Sequence, residues 1–287
     1  MPNLLITGSN GQVGREFKRL SSEFKKGFSY HFTDREELDI TDEQAIQDFM
    51  AQHAIDIVIN CAAYTAVDKA EEEETLATKI NAEAAGFLAK ACHENNAFLI
   101  QLSTDYVYDN QANRPMIETD ACQPKSVYAK TKLEGERLVQ SFTDRHIIIR
   151  TSWVYSTFGN NFVKTMVRLG QERDALRIIF DQIGTPTYAR DLARAILQII
   201  RQDNYLSNPG IYNYSNEGVT SWYDFALAIF AWQDIDCIVT PILSSSYPTA
   251  ASRPHYSVLD KSKFTTTFGL SIPHWQDSLW ACLDEGV

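Results

Sequence analysis

Tyr128 and Lys132 stand four residues apart in the segment SVYAKTKLEGE; on a helix that spacing puts a phenol and an ammonium on one face. Such a pair can move a proton to or from an oxygen. A free phenol has a pKa of about 10, too high for proton transfer near neutrality, and a neighbouring ammonium would lower it by favouring the phenolate. Roughly 0.5 Tyr-x-x-x-Lys pairs are expected by accident in such a chain, so spacing alone says little. The context adds to it. Leu102-Ser103-Thr104-Asp105 closes an apolar run ahead of the pair, which sets hydroxyls at a strand end where ligands bind, and Thr104 is the candidate to hold the reacting oxygen.

A second constellation opens the chain. Gly8, Gly11 and Gly14 form GSNGQVG directly after an apolar run and ahead of an amphipathic stretch, the setting of a dinucleotide-binding turn. Glycine tolerates tight geometry, a missing side chain lets a pyrophosphate approach, and a helix N-terminus offers N–H groups to the anion. About 0.03 such triple spacings are expected by chance. Asp34 follows the next apolar run, where a carboxylate could hydrogen-bond the adenosine ribose and favour NADH. Arg35 beside it could instead receive the 2′-phosphate of NADPH, so either cofactor is compatible with the pair.

These residues need a parallel sheet to position them. Short β-branched runs near residues 3–7, 29–33, 55–60, 98–103 and 146–150 alternate with amphipathic stretches near 11–24, 42–53, 76–95 and 126–141, the order of βαβ units. Thr41 is the expected N-cap of the second stretch. Glu71 to Glu74 read as a solvated helix start. Further helices are expected near 161–172 and 188–201, with a strand near 177–180 and another helix opening at Thr220. The expected fold class is α/β: a Rossmann-type doubly wound parallel sheet with a smaller C-terminal substrate-binding lobe. Residues 1–150 form the dinucleotide domain, rejoined by about 176–204, while 151–175 and 205–287 build the lobe.

Composition narrows the function. The 287 residues carry 26 Lys+Arg against 37 Asp+Glu, a net charge of −11, so a nucleic-acid groove would oppose the field of the whole molecule. No apolar run approaches the roughly 20 residues that cross a bilayer. Cys61, Cys92, Cys122, Cys237 and Cys282 are odd in number and widely spaced, as in reduced cytosolic thiols. The start MPNLLITGSNGQVG has no basic leader, and a cytoplasmic protein is expected. The six histidines show no ligand spacing, so no metal site is expected.

GSNGQVG, STD and YAKTK together resemble the extended short-chain dehydrogenase/reductase family, whose catalytic set is Ser/Thr, Tyr and Lys. Within it, NCAAYTAVDKAE, STDYVY, RTSWVY, GNNFVKTM, DQIGTPTYA and AASRP, in this order, are similar to the dTDP-4-dehydrorhamnose reductases over nearly the whole chain. The resemblance implies that Thr104, Tyr128 and Lys132 are catalytic. It implies that Gly8, Asn10, Gly11, Gln12, Val13 and Gly14 form the pyrophosphate loop, with Asp34, Arg35, Asp39 and Ile40 at the adenosine end. Ala62, Ala63, Tyr64 and Thr65 would follow the third strand beside the cofactor. Asp105 and Trp153 would meet the sugar; Asn161 and Arg253 would contact the nucleotide diphosphate, for which a guanidinium fork is suited.

Each of the last three also has an ordinary reading: Trp153 as core packing, Asn161 as a helix cap, Arg253 as a loop ion pair. Some relatives dimerise through a metal held by glutamates; here Glu16 is present but Arg190 stands at the position of a second. A monomer or weak homodimer is therefore expected. The implied reaction is NADPH- or NADH-dependent reduction of the C4 ketone of dTDP-4-dehydro-L-rhamnose to dTDP-L-rhamnose, a polysaccharide precursor. Epimerases and dehydratases share the scaffold, but dehydratases follow the Thr with Asp–Glu, and here Thr104-Asp105 is followed by Tyr106. The non-catalytic beta subunit of methionine adenosyltransferase also resembles this family, and Thr104, Tyr128 and Lys132 argue against that alternative.

Overall fold

The computed structural model describes residues 1–108 and 112–287. Strands β1 (Asn3–Thr7), β2 (Ser29–Phe32), β3 (Ile57–Asn60), β4 (Phe98–Thr104), β5 (His146–Thr151) and β6 (Gly210–Asn213) pair in parallel, in the order β2-β1-β3-β4-β5-β6. Parallel strands are covered on both faces, and β3 and β5 are accordingly buried at every residue, whereas the edge strand β2 is half-buried throughout. Helices α1 (Gln12–Leu20) and α6 (Ala189–Arg201) cover one face, where Phe17, Leu20, Leu192 and Ile196 pack on the sheet. Helices α2 (Glu43–His53), α3 (Ala84–Glu94) and α4 (Val127–Phe142) cover the other through Ile46, Met50, Leu88 and Val139.

A second core forms away from the sheet. Helices α5 (Phe162–Glu172), α7 (Trp222–Gln233) and α9 (Trp275–Asp284) enclose Val163, Phe225, Ile229 and Leu279. The strand expected near 177–180 lies at Ala175–Ile179 and pairs in parallel with Ile238–Ile242 as a separate ribbon, outside the central sheet. Its alternating burial explains this, since a central strand would be buried on both sides. Residues 205–287 also contribute to the central sheet. Gly210–Asn213 pairs with β5, and helix α8 (Ser262–Phe268) inserts Phe264 and Phe268 into the first core. A four-residue strand flanked by turns is too short to show a period.

Three local features depart from the sequence reading. Asp42, not Thr41, caps α2, accepting from the Ala45 N–H at 3.0 Å; Thr41 instead donates from its backbone N–H and hydroxyl to Asp39. The helix expected over 76–95 is broken: Glu74–Thr78 leads into a π-turn at Lys79–Glu83 before α3. Such turns absorb an extra residue in a helix, and they recur at functional sites. Finally, Glu71 and Glu73 have partners. The Glu71 carboxylate accepts from the Val127 N–H at the start of α4, and Glu73 accepts from the Tyr64 hydroxyl.

The π-turn sets how closely α4 can approach. A Cβ on Gly135 would lie 2.2 Å from the Asn81 carbonyl oxygen, and backbone cannot yield as a side-chain tip can. Gly135→Ala is expected to push α4 away and to lose about 1–3 kcal/mol of stability in denaturant titration. Unaltered stability would show that the contact relaxes freely.

Candidate active site

The carboxyl ends of β1, β3 and β4 are tied by buried side chains. The Thr7 hydroxyl donates to Asn60 Oδ1 at 2.6 Å, and Asn60 Nδ2 donates to Gln101 Oε1 at 2.8 Å. Directly above, Gly11 caps α1 without any side-chain oxygen, so the first-turn N–H groups stay available to an anion. Gly8 has φ +62°, and a Cβ there would lie 2.6 Å from the Ala62 nitrogen; one on Gly14 would lie 2.5 Å from the Gly8 carbonyl oxygen. Those two glycines are demanded by the fold. Gly11 is less crowded, and its missing side chain keeps the cradle open.

A cavity of about 340 Å3 runs from this cradle along the sheet edge. Of the expected cofactor residues it gathers Gly8, Asn10, Gly11, Asp34, Arg35, Asp39, Ile40, Ala62 and Ala63. Asn10 donates to the Asp34 carboxylate, which also accepts from the Glu36 and Glu37 N–H groups. Two hydrogen bonds from Thr41, first its N–H and then its hydroxyl, hold the Asp39 carboxyl below the usual range, with Arg35 and Lys79 adding to the effect. The cradle, the open helix end and the acid beyond β2 fit a dinucleotide.

Other expected residues lie elsewhere. Gln12 turns away from the cradle: its amide donates to the Val154 carbonyl oxygen, and its oxygen accepts from Asn161. Val13 is packed in the core and Gly14 is enclosed in α1, so each can offer only backbone. The Tyr64 hydroxyl points at Glu73, and Thr65 is exposed. Sequence reasoning missed Lys79 and Ile80, which the π-turn brings to the cavity, and Asn81. Asn81 brackets the Tyr64 backbone with hydrogen bonds of 2.8 and 3.1 Å and reaches Thr131 on α4 at 3.2 Å. No local signal marks the extra residue in that helix.

Thr104, Asp105, Tyr128 and Lys132 do meet. Ser126 accepts from the Ala129 N–H to start α4, which puts Tyr128 in its first turn. Lys132 donates from Nζ to the Leu102 carbonyl oxygen at 2.7 Å. The Thr104 hydroxyl donates to Asp105 Oδ1 at 3.1 Å and accepts from the Tyr106 N–H at 3.2 Å. The ring of Tyr106, another residue missed, meets that of Tyr128 edge-on at 5.9 Å.

Burial dominates the electrostatics of this cluster. It pushes the Tyr128 phenol up to about 12, against a smaller downward effect of the Thr104 hydroxyl. The lowering expected from Lys132 is not found: the phenol is raised, and the ammonium is engaged by the Leu102 carbonyl. Burial also brings Lys132 down to about 8, opposed by Glu136, and raises Asp105 to about 7. Asp105 Oδ2 is buried and has no hydrogen-bond partner among the described residues.

Residues from the second half of the chain border the cluster. Trp153 has φ +46°, a left-handed conformation costing about 1–2 kcal/mol for a non-glycine residue, which its surroundings must hold in place. Its ring stacks on Trp222 at 3.6 Å and 12°. Gly184 lies under the same ring: a Cβ there would fall 2.8 Å from the indole and 2.9 Å from the Ser257 hydroxyl. Ser257 in turn lies beside Asp105, so Trp153, Gly184, Ser257 and Asp105 are contiguous. Asn161 caps α5 through the Lys164 N–H at 3.1 Å and donates to Gln12 at 3.0 Å. Arg253 forms a two-pronged pair with Asp68, at 2.6 and 3.1 Å. Glu16, fully buried, accepts from Ser156 at 2.6 Å and from Arg190 at 3.1 Å.

A parallel sheet with a glycine cradle at its switch point and a Thr–Tyr–Lys set at the next strand end defines an extended short-chain dehydrogenase/reductase. The family model described as RmlD substrate binding domain matches residues 2–287. The dTDP-4-dehydrorhamnose reductase of Escherichia coli K12 is 40% identical, over 99% of this chain and 97% of its own. Crystal structures agree: the Clostridium acetobutylicum reductase shares 44% identity at a TM-score of 0.94, covering 99% of both chains. The Bacillus anthracis reductase, in complex with NADP, shares 36% at 0.94, covering 99% of this chain and 100% of its own. The chain belongs to the dTDP-4-dehydrorhamnose reductase family.

Proposed function

We propose that this protein reduces the C4 ketone of dTDP-4-dehydrorhamnose to the alcohol of dTDP-rhamnose with NADPH or NADH, Tyr128 giving the proton. Bound reduced nicotinamide supplies the hydride. The observation that carries the reading is the meeting of Thr104, Tyr128 and Lys132 at the end of β4, beside the cradle that fits a dinucleotide. Thr104 holds the ketone oxygen by its hydroxyl. Tyr128, kept neutral by burial, has its proton in place when negative charge develops on that oxygen. Lys132, anchored on Leu102, sets the field around the phenol and reaches toward the nicotinamide ribose.

Asp105 and Trp153 face the sugar, supported by the unpartnered Asp105 oxygen and the strained Trp153 backbone. Arg253 serves the diphosphate after exchanging Asp68 for it, and Asn161 holds the nearby loop as a cap. The Glu16 carboxylate is occupied by Arg190 and Ser156, which supports a monomer or weak homodimer over a metal-bridged pair. Among the described residues no helix is long and apolar enough to cross a membrane. The five cysteines are free thiols, in keeping with a cytoplasmic enzyme.

The test is turnover of reduced cofactor by purified protein, with dTDP-rhamnose identified as product. Cofactor binding without turnover of the sugar nucleotide would count against the reading. Cofactor choice has its own test. Arg35 is largely exposed at the cavity rim, with Lys79 nearby, and Arg35→Ala is expected to cut kcat/KM for NADPH severalfold while sparing NADH. An equal change for both would remove Arg35 from 2′-phosphate recognition.

A further inference from the structure

Three side chains of α4, each one turn apart, meet three consecutive residues of β4. The Tyr128 phenol lies beside Thr104, Lys132 donates to the Leu102 carbonyl oxygen, and the Glu136 carboxylate accepts from the Ser103 hydroxyl at 2.5 Å. Only the first two enter the reaction proposed above. Glu136 is 1% exposed, and Arg150 of β5, 3% exposed, donates to both its oxygens, from Nε at 3.0 and 3.2 Å and from Nη2 at 2.6 Å. Ser103 and Arg150 are register partners on adjacent strands. Glu136 thus fastens α4 to two strands at the level of the catalytic residues.

Burying a carboxylate is costly, and a well-packed apolar pair could fasten the helix as firmly. The location of the charge suggests a further role. We infer that Glu136 is a positioning residue for the reduction, holding the Lys132 ammonium charged and seated on the Leu102 carbonyl. This rests on the roles proposed for Tyr128 and Lys132.

The groups around Lys132 leave Glu136 as the charge that favours its protonation. From the end of β3 comes Cys61, whose thiol burial pushes well above its usual range, so it stays neutral. The turn after β4 contributes Asp105, which accepts from the Thr104 hydroxyl and is not among the charges that act on Lys132. The π-turn packed on α4 contributes Asn81, which is uncharged. Arg150 of β5 faces Glu136, and Tyr128 lies one turn before Lys132 on α4 itself. Burial draws Lys132 down to about 8, and Glu136 opposes it. Without that negative charge the ammonium would be lost at lower pH.

The test is the pH profile of kcat, with both substrates saturating, for the parent and for Glu136→Gln. The alkaline limb is expected to move acidward by about one unit, roughly a tenfold loss of turnover on that limb, with KM for the sugar nucleotide little changed. Glu136→Gln leaves Arg150 buried without its partner, so the double variant Glu136→Gln, Arg150→Met is measured alongside. A structural anchor alone predicts that the double variant regains the parent limb; the positioning role predicts that the limb stays shifted. An unmoved limb in either folded variant overturns the inference. Lys132→Met separates the two levels: if it retains full turnover, the catalytic reading itself fails, whereas its inactivity beside an unmoved Glu136→Gln limb removes Glu136 alone.

Discussion

Tyr128→Phe is expected to lower kcat by about 10²- to 10⁴-fold, the range for removing a positioned general acid, while leaving the cofactor dissociation constant unchanged. The substitution keeps the ring and its edge-on contact with Tyr106, and it deletes only the hydroxyl that Thr104 meets. The fold should lose no more than about 1 kcal/mol, the usual worth of one hydrogen bond. Stopped turnover with intact cofactor binding and an unchanged Tm places the phenol in the chemistry. Retained turnover removes Tyr128 as proton donor.

The largest effect on stability is expected from Arg150→Met. Arg150 holds Glu136 through three donor contacts and lies 4.8 Å above the Tyr108 ring. Truncating it leaves a carboxylate buried with the Ser103 hydroxyl, which should cost about 3–5 kcal/mol and lower Tm by on the order of 10 °C. The pH dependence has a definite sign. An unpaired buried carboxylate has its folded-state pKa raised above the unfolded value, so the folded variant binds more protons and loses stability as pH rises between the two. The deficit against the parent should therefore be smaller near about pH 5 than near about pH 8. Replacing Glu136 by Gln in the same variant should recover part of the loss. A deficit that does not vary with pH would mean that lost packing, and not the buried charge, sets the cost.

Much of this site was legible in the amino-acid sequence because its signals are local. GSNGQVG sits between an apolar run and an amphipathic stretch, and Tyr128 and Lys132 differ by one helical turn; both patterns need only neighbouring residues. The first five strands are short apolar runs, and they lie within a few residues of where periodicity places them. What the sequence hid depends on distant partners. Asn161 meets Gln12 across 149 positions, and Arg253 meets Asp68 across 185. Trp222 and Ser257 come to Trp153 and Asp105 from another part of the chain. The π-turn that delivers Lys79 and Asn81 differs from an ordinary helix by one accommodated residue. The strand Gly210–Asn213 is four residues long and becomes part of the sheet only because β5 offers it an edge.

If hydride reaches C4 of the sugar in this site, an isotope carried by the nicotinamide must arrive there with it. The most direct measurement is to supply NADPH carrying deuterium at nicotinamide C4, in separate samples for each face, with dTDP-4-dehydrorhamnose, and to locate the label in the product. The expected product is dTDP-rhamnose with one deuterium at C4 of the sugar from one labelled face, formed at least about 10²-fold more slowly by the Tyr128→Phe protein. Oxidation of the cofactor with no label at C4, or label at another carbon, would contradict hydride transfer to C4.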